Sequence, residues 1–178
     1  MVTLYERPNM GSTIHFINSS MTDTLRFATD YGLYSLQFFL GGNMGFKRAK
    51  LSDKDVDTAL KLQERFPINI YSHMPYCYNL CGSIKSLAWT GDNEQDVKSR
   101  RMIEAMKGEL ATLAPFQNKY GNCGCVVHIG SANKSIKRNI AIETVSETIN
   151  KINKEMKGDR APLLLENCAG KGINLGEI

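Results

Sequence analysis

Three strand-like runs in this sequence each end in a residue able to bind a metal. His73 closes Asn69-Ile70-Tyr71-Ser72, His128 closes Cys125-Val126-Val127, and Glu166 closes Leu163-Leu164-Leu165. Two imidazoles and one carboxylate are a frequent catalytic zinc set, which leaves one coordination position open for water. Zinc lowers the pKa of that water to about 7, so a nucleophile becomes available at neutral pH. A structural reading stands beside this one. A carboxylate at a strand tip is costly to bury unless paired, and a salt bridge or helix cap would also place Glu166 there. The five cysteines offer a second conceivable zinc set, with Cys77 and Cys81 four apart and Cys123 and Cys125 two apart. Neither pair has the C-x2-C knuckle spacing, so reduced, buried thiols are expected instead.

The elements that must hold these residues follow from pattern and turn signals. Ser12 to Ile17 alternates like a first strand, and Ser19-Ser20-Met21-Thr22-Asp23 offers caps for a helix over Thr24 to Tyr31. Tyr34 to Leu40 reads as a second strand, ended by Gly41-Gly42-Asn43 and a basic loop through Lys50. Ser52 caps a helix running to about Phe66, and a third strand spans Ile68 to His73. A long connection from Met74 to Asp92 precedes a helix over Asn93 to Ala114. A fourth strand covers Gly124 to His128, a helix follows over Ser135 to Met156, and the stretch from Ala161 to Glu166 forms a fifth strand. A continuous apolar run such as Leu163-Leu164-Leu165 reads as a strand buried on both faces. Strand–helix alternation of this length predicts βαβ units, a parallel sheet and an α/β fold. In such folds chemistry collects at the C-terminal strand ends, where His73, His128 and Glu166 lie.

The chain has 178 residues, which is the length of one domain, 1–178. Hydrophobic content of 42% and charged content of 22% are those of an ordinary soluble globular protein. A formal charge of +4 is compatible with a polyanionic partner without requiring one. No apolar run approaches the roughly 18 residues of a membrane span, and the N-terminus lacks a signal-peptide core. An intracellular protein, in cytoplasm or nucleus, is therefore expected, neither membrane-bound nor secreted.

The residues around the three candidate ligands resemble a known family. His73-Met74-Pro75-Tyr76-Cys77-Tyr78-Asn79-Leu80, then His128-Ile129-Gly130-Ser131, then Leu165-Glu166-Asn167-Cys168-Ala169-Gly170-Lys171-Gly172 are similar, in that order, to three signatures of endonuclease IV apurinic/apyrimidinic endonucleases. Gly11 to Leu40 is similar, less specifically, to that family's first βαβ unit, and the resemblance extends to about Gly176. It implies a TIM barrel with a trinuclear zinc centre. The implied reaction is hydrolysis of the phosphodiester on the 5′ side of an abasic site in double-stranded DNA, a step of base-excision repair that leaves a 3′-hydroxyl. Carried over motif by motif, His73 and His128 would be ligands of one zinc, and Glu166 would be the catalytic carboxylate bridging that zinc to a second. Tyr76 would match a residue that wedges into the DNA stack, although it could equally pack on Trp89. The loop after the second strand would match a DNA-contacting loop, carrying Lys47, Arg48 and Lys50. Asn167 and Ser131 would support the ligands. Lys134, Lys137 and Arg138 are either further phosphate contacts or a solvated surface.

The sequence departs from the family pattern in two places. Thr13 stands where the family's first strand usually has histidine, and His15, two residues on, shares its face. A TIM barrel needs eight strands and roughly 250 residues, whereas about five strands and four helices are read here. The fold expected is thus a TIM-barrel-like (β/α) repeat that is incomplete, with open sheet edges. Its residues supply one zinc site, with two or three zinc ions bound only if the missing ligands are supplied. A second polypeptide completing the barrel, a fragment of a longer enzyme, and a decayed copy all fit this pattern. Two rival functions stay open. One is a catalytically inactive DNA-binding or structural homologue, and the other a metal-dependent sugar isomerase or epimerase of the same barrel superfamily.

Overall fold

The computed structural model describes residues 11–81, 94–117, 122–132, 137–158, 160–167 and 173–174. Their elements are β1 (Gly11–His15), α1 (Met21–Asp30), β2 (Ser35–Phe39), α2 (Asp53–Arg65), β3 (Asn69–His73), α3 (Glu94–Gln117), β4 (Cys123–His128), β5 (Ser131–Ala132), α4 (Arg138–Met156), β6 (Leu163–Glu166) and β7 (Ile173–Asn174). A short 3-10 turn, Ile17–Ser19, links β1 to α1. Five strands form one parallel sheet in the order β1-β2-β3-β4-β6, each pairing with the strand before it through an intervening helix. This is the α/β arrangement expected from strand–helix alternation. Ser131 and Ala132 pair antiparallel with Asn174 and Ile173, so β5 and β7 form a small separate ribbon.

The helix starts follow from local chemistry. Ser20 accepts the Asp23 amide at the head of α1, and Ser52 accepts the Asp55 amide at the head of α2. The first helix begins at Met21, three residues before the expected Thr24, because Ser20 rather than a later residue caps it. β1 ends at His15 instead of Ile17, where the 3-10 turn begins. α3 runs to Gln117, past the expected Ala114 and through Pro115. The Trp89 proposed as a partner for Tyr76, and Ser135 at the expected start of α4, lie outside the described residues.

Strand residues alternate between two faces. On the helix-covered face, Leu36, Phe38, Ile70, Cys123, Cys125 and Val127 pack against Leu25, Ala59, Met106, Leu110, Ala141 and their neighbours to form the core. A fully buried leucine or phenylalanine of this kind contributes roughly 1.5–3 kcal/mol. The opposite face carries Gln37, Tyr71, Val126 and Leu164, none of which is fully buried.

The final strand corrects an expectation. Leu163-Leu164-Leu165 was expected to be buried on both faces, yet Leu164 and Leu165 are 37% and 47% exposed. β6 is the last strand of the sheet among the described residues, so no neighbour covers its far side. An apolar run signals burial only when both faces of its strand are covered.

Candidate metal centre

Register brings the three candidate ligands to one rim. His128 pairs directly with Glu166, while His73 pairs with Val126, two residues short of them. The Met74 amide donates to the Val126 carbonyl, and the Ile129 amide to the Glu166 carbonyl, extending the ladder past the strand ends. Glu166 therefore reaches both rings. Its Oε2 lies 3.1 Å from His73 Nε2 and 3.6 Å from His128 Nε2. The three ligand atoms lie within 4.8 Å of one another, and they are the one such group of His, Cys, Asp or Glu among the described residues.

Three features suit these residues to a bound metal ion. First, the Nδ1–H of His73 donates to the Met74 carbonyl at 2.7 Å. That bond fixes the ring and leaves the Nε2 lone pair facing the site, as a hydrogen bond from the other ring nitrogen does for metal-bound histidines. Second, a neutral Nε2 and a carboxylate oxygen 3.1 Å apart repel unless a proton or cation lies between them. Third, metal–ligand bonds of about 2.0–2.2 Å at tetrahedral angles place zinc ligands roughly 3.3–3.6 Å apart, close to the 3.1 and 3.6 Å separations to Oε2. A charged histidine–glutamate pair also satisfies the 3.1 Å contact.

Aromatic rings wall the site. Tyr76, half exposed, lies 5.2 Å from the His73 ring and 5.5 Å from the His128 ring, centroid to centroid. The His73 and His128 rings stand perpendicular at 5.0 Å. Phe39 packs 5.2 Å from His73 and 5.3 Å from Tyr76. Phe39 was not among the candidate residues, although its position at a strand end, paired in register with His15, was the available signal. His15 is exposed on that rim, 6.3 Å from Phe39, and does not belong to the three-residue group.

The loops after β3 and β4 are tied together. Asn79 donates to the Ser131 carbonyl at 3.0 Å and accepts the Cys81 amide at 3.1 Å. Gly130 has φ of +89° there, and a Cβ on it would fall 2.1 Å from Asn79 Oδ1. Only glycine fits that crossing. The Ser131 carbonyl is thus one of the groups that join the two loops.

The basic loop divides. Lys47 and Lys50 are exposed, as are Lys137 and Arg138, while Lys134 lies outside the described residues. Arg48, expected among the DNA-contacting cations, turns inward instead: its side chain is 7% exposed and pairs with Glu109 of α3. Burial pushes the Glu109 carboxyl above the ordinary range, and the Arg48 charge pulls against that rise. Cys81, Cys123 and Cys125 are buried, none of the four described cysteines is in a disulfide, and they form no metal-binding group among the described residues. Burial raises the Cys123 thiol to about 12 and Cys125 well above its ordinary value.

No family model matches the sequence. The chain is 30% identical to the probable endonuclease 4 of Symbiobacterium thermophilum over 147 residues, which are 82% of this chain and 46% of that protein. It is 27% identical to the probable endonuclease 4 of Natranaerobius thermophilus over 151 residues, 84% of this chain and 47% of that protein. The chain thus spans about half the length of the curated relatives it matches. Among solved structures it superposes on endonuclease IV from Thermus thermophilus with a TM-score of 0.70 and 23% identity, over 95% of this chain and 55% of that one. It also superposes on a D-tagatose 3-epimerase-like protein with a TM-score of 0.56 and 16% identity, over 90% of this chain and 54% of that one. These similarities bear out the endonuclease IV-like resemblance read from the motifs, and the fold is that of part of such a barrel.

Proposed function

We propose that this chain forms one zinc site of an apurinic/apyrimidinic endonuclease, hydrolysing the phosphodiester 5′ of an abasic site in double-stranded DNA. The observation that carries the proposal is the convergence of His73 Nε2, His128 Nε2 and Glu166 Oε2 beneath Tyr76, at the ends of three adjacent parallel strands. The similarity to probable endonuclease 4 proteins supports the substrate class.

Each residue has a role in this reading. His73 and His128 would hold the metal through Nε2, and the Met74 carbonyl would keep the His73 ring in its ligand tautomer. When bound, zinc supplies Lewis acidity toward a phosphoryl oxygen and toward water. Two neutral imidazoles and one carboxylate leave a divalent site with net positive charge, which favours a phosphate diester over a neutral sugar. In the hydrolysis, water oxygen adds to phosphorus and the bond from phosphorus to the 3′ oxygen breaks, leaving a 3′-hydroxyl. Tyr76 is positioned to enter the stack at the missing base, which is cheaper to open than an intact pair. Lys47 and Lys50 meet phosphates and make binding salt-dependent. A further (β/α) segment in a second polypeptide, docked beside β6, would supply the ligands that let Glu166 bridge to a second ion. Residues 1–178 act as one domain in this scheme.

The test is incision of a labelled duplex holding one abasic analogue, with zinc present and His128→Ala as control. The proposal predicts cleavage 5′ of the lesion that is absent in the control. Retained duplex binding without incision would favour the inactive DNA-binding reading, which the three-ligand site also permits. Neither binding nor incision would remove both.

A further inference from the structure

Arg48 lies in the loop after β2, yet its guanidinium works inside the protein. Its Nη1 is 3.5 Å from Oε2 of Glu109, a carboxylate of α3 with no exposed surface. Its Nη2 donates to the carbonyls of Gly42 and Gly45, at 2.6 and 2.9 Å. Between those two carbonyls sits Asn43, whose own carbonyl accepts the Tyr76 amide at 3.0 Å. A continuous path therefore runs from α3 through Arg48 and the loop to the tyrosine above the two imidazoles.

The chemistry of the pair points to positioning. Taking both charges out of water is costly, and 3.5 Å is long for a hydrogen bond, so stability alone is a weak reason for the pair. Only a planar guanidinium, with donors on separate nitrogens, faces a carboxylate with one arm and two carbonyls with the other. The loop is closed at its base by the Gly41–Arg48 bridge and by the Ala49 amide on the Leu40 carbonyl. Gly41, at φ of +135°, brings a would-be Cβ within 2.8 Å of the Lys47 carbonyl, so the base admits no side chain. Its tip is held by Arg48.

We infer that Arg48 is a positioning residue: anchored by Glu109, it fixes the Gly42–Gly45 turn and, through the Asn43 carbonyl, seats Tyr76 over His73 and His128. The inference rests on the proposed function in one respect, that Tyr76 meets the abasic site.

Two variants of the full chain test it. Arg48→Lys keeps a cation opposite Glu109 but has a single nitrogen. The paired change Arg48→Met with Glu109→Met removes both charges and leaves none buried alone. By amide hydrogen exchange, both are expected to speed exchange at Tyr76 by about tenfold or more, while the Met74 amide at the end of β3 keeps its protection. Binding to an abasic duplex relative to an intact one falls to the level of Tyr76→Ala, and Arg48→Lys adds nothing in the Tyr76→Ala background. The slope of log Kd against log salt is unchanged in the paired variant, because no phosphate contact is lost. Unchanged exchange at Tyr76 overturns the inference, as does a salt slope reduced by about one phosphate contact. Should Arg48→Lys fail to fold, the paired variant gives the same exchange measurement. If the parent chain does not distinguish abasic from intact duplex, the DNA reading falls while the Tyr76 amide still decides the role of Arg48.

Discussion

Glu166 Oε2 reaches both histidines because His128 is its register partner and His73 stands one strand further away. The three residues were legible in the sequence as candidates, since each closes a strand-like run. What sequence could not give was the offset of two residues between His73 and the other two. Removing one imidazole leaves two ligands, so His128→Ala should weaken zinc binding by more than the ~10–100-fold that loss of an outer-shell partner costs; isothermal titration calorimetry measures it. Gly130→Ala forces a left-handed backbone onto alanine and drives a Cβ into Asn79. The expected destabilisation is at least about 1–2 kcal/mol, read from urea unfolding. Thiol chemistry separates the cysteines. With burial raising Cys123 to about 12 and Cys125 well above its ordinary value, iodoacetamide at pH 8 should label partly exposed Cys77 well before either in the native chain. Equal labelling of Cys77 and Cys125 would contradict the burial described here.

Between elements, the contact that organises α1 and α2 is a carboxylate. Asp55 accepts hydrogen bonds from the Ser20 hydroxyl at 3.0 Å and from the Met21 and Thr22 amides at 2.8 and 3.1 Å. A residue in the first turn of α2 thereby satisfies the opening amides of α1. Burial pushes the Asp55 carboxyl up, but the bonds from Thr22, Met21 and Ser20 overcome it and hold it below the ordinary 3.8. A depressed carboxylate stabilises the fold fully above its unfolded value near 3.8, and that contribution is lost as pH falls through the lower folded value. Asp55→Asn should therefore cost ~1–2 kcal/mol at pH 7, less than the ~1.5–3 of a fully dry charged bond. It should also flatten the acid limb of the stability curve below pH 4, as followed by circular dichroism. Ser20 and Ser52 were readable as caps from sequence because capping is local. The pairing of Asp55 with α1, and of Arg48 with Glu109, was not. The partners lie 34 and 61 residues apart, and only the packing of helix on sheet brings them together.

For the whole molecule, strand–helix alternation was enough to predict the parallel sheet, while the exposure of its last strand was not. β6 presents Leu164 and Leu165 to solvent at the edge of the described sheet. Exposed apolar edge strands recruit further strands. The isolated chain should thus self-associate with rising concentration, and Leu165→Lys should suppress this in sedimentation velocity. Among the described residues no helix is long and apolar enough to cross a membrane. The central claim is that this chain, by itself, holds a metal ion between β3, β4 and β6. Zinc stoichiometry of the purified chain after dialysis tests it most directly, with His73→Ala, His128→Ala and Glu166→Gln measured alongside. One zinc per parent chain is expected, and its loss in each variant. A parent chain without zinc, or variants that retain it, would show that the three residues form only an ion pair at the strand ends.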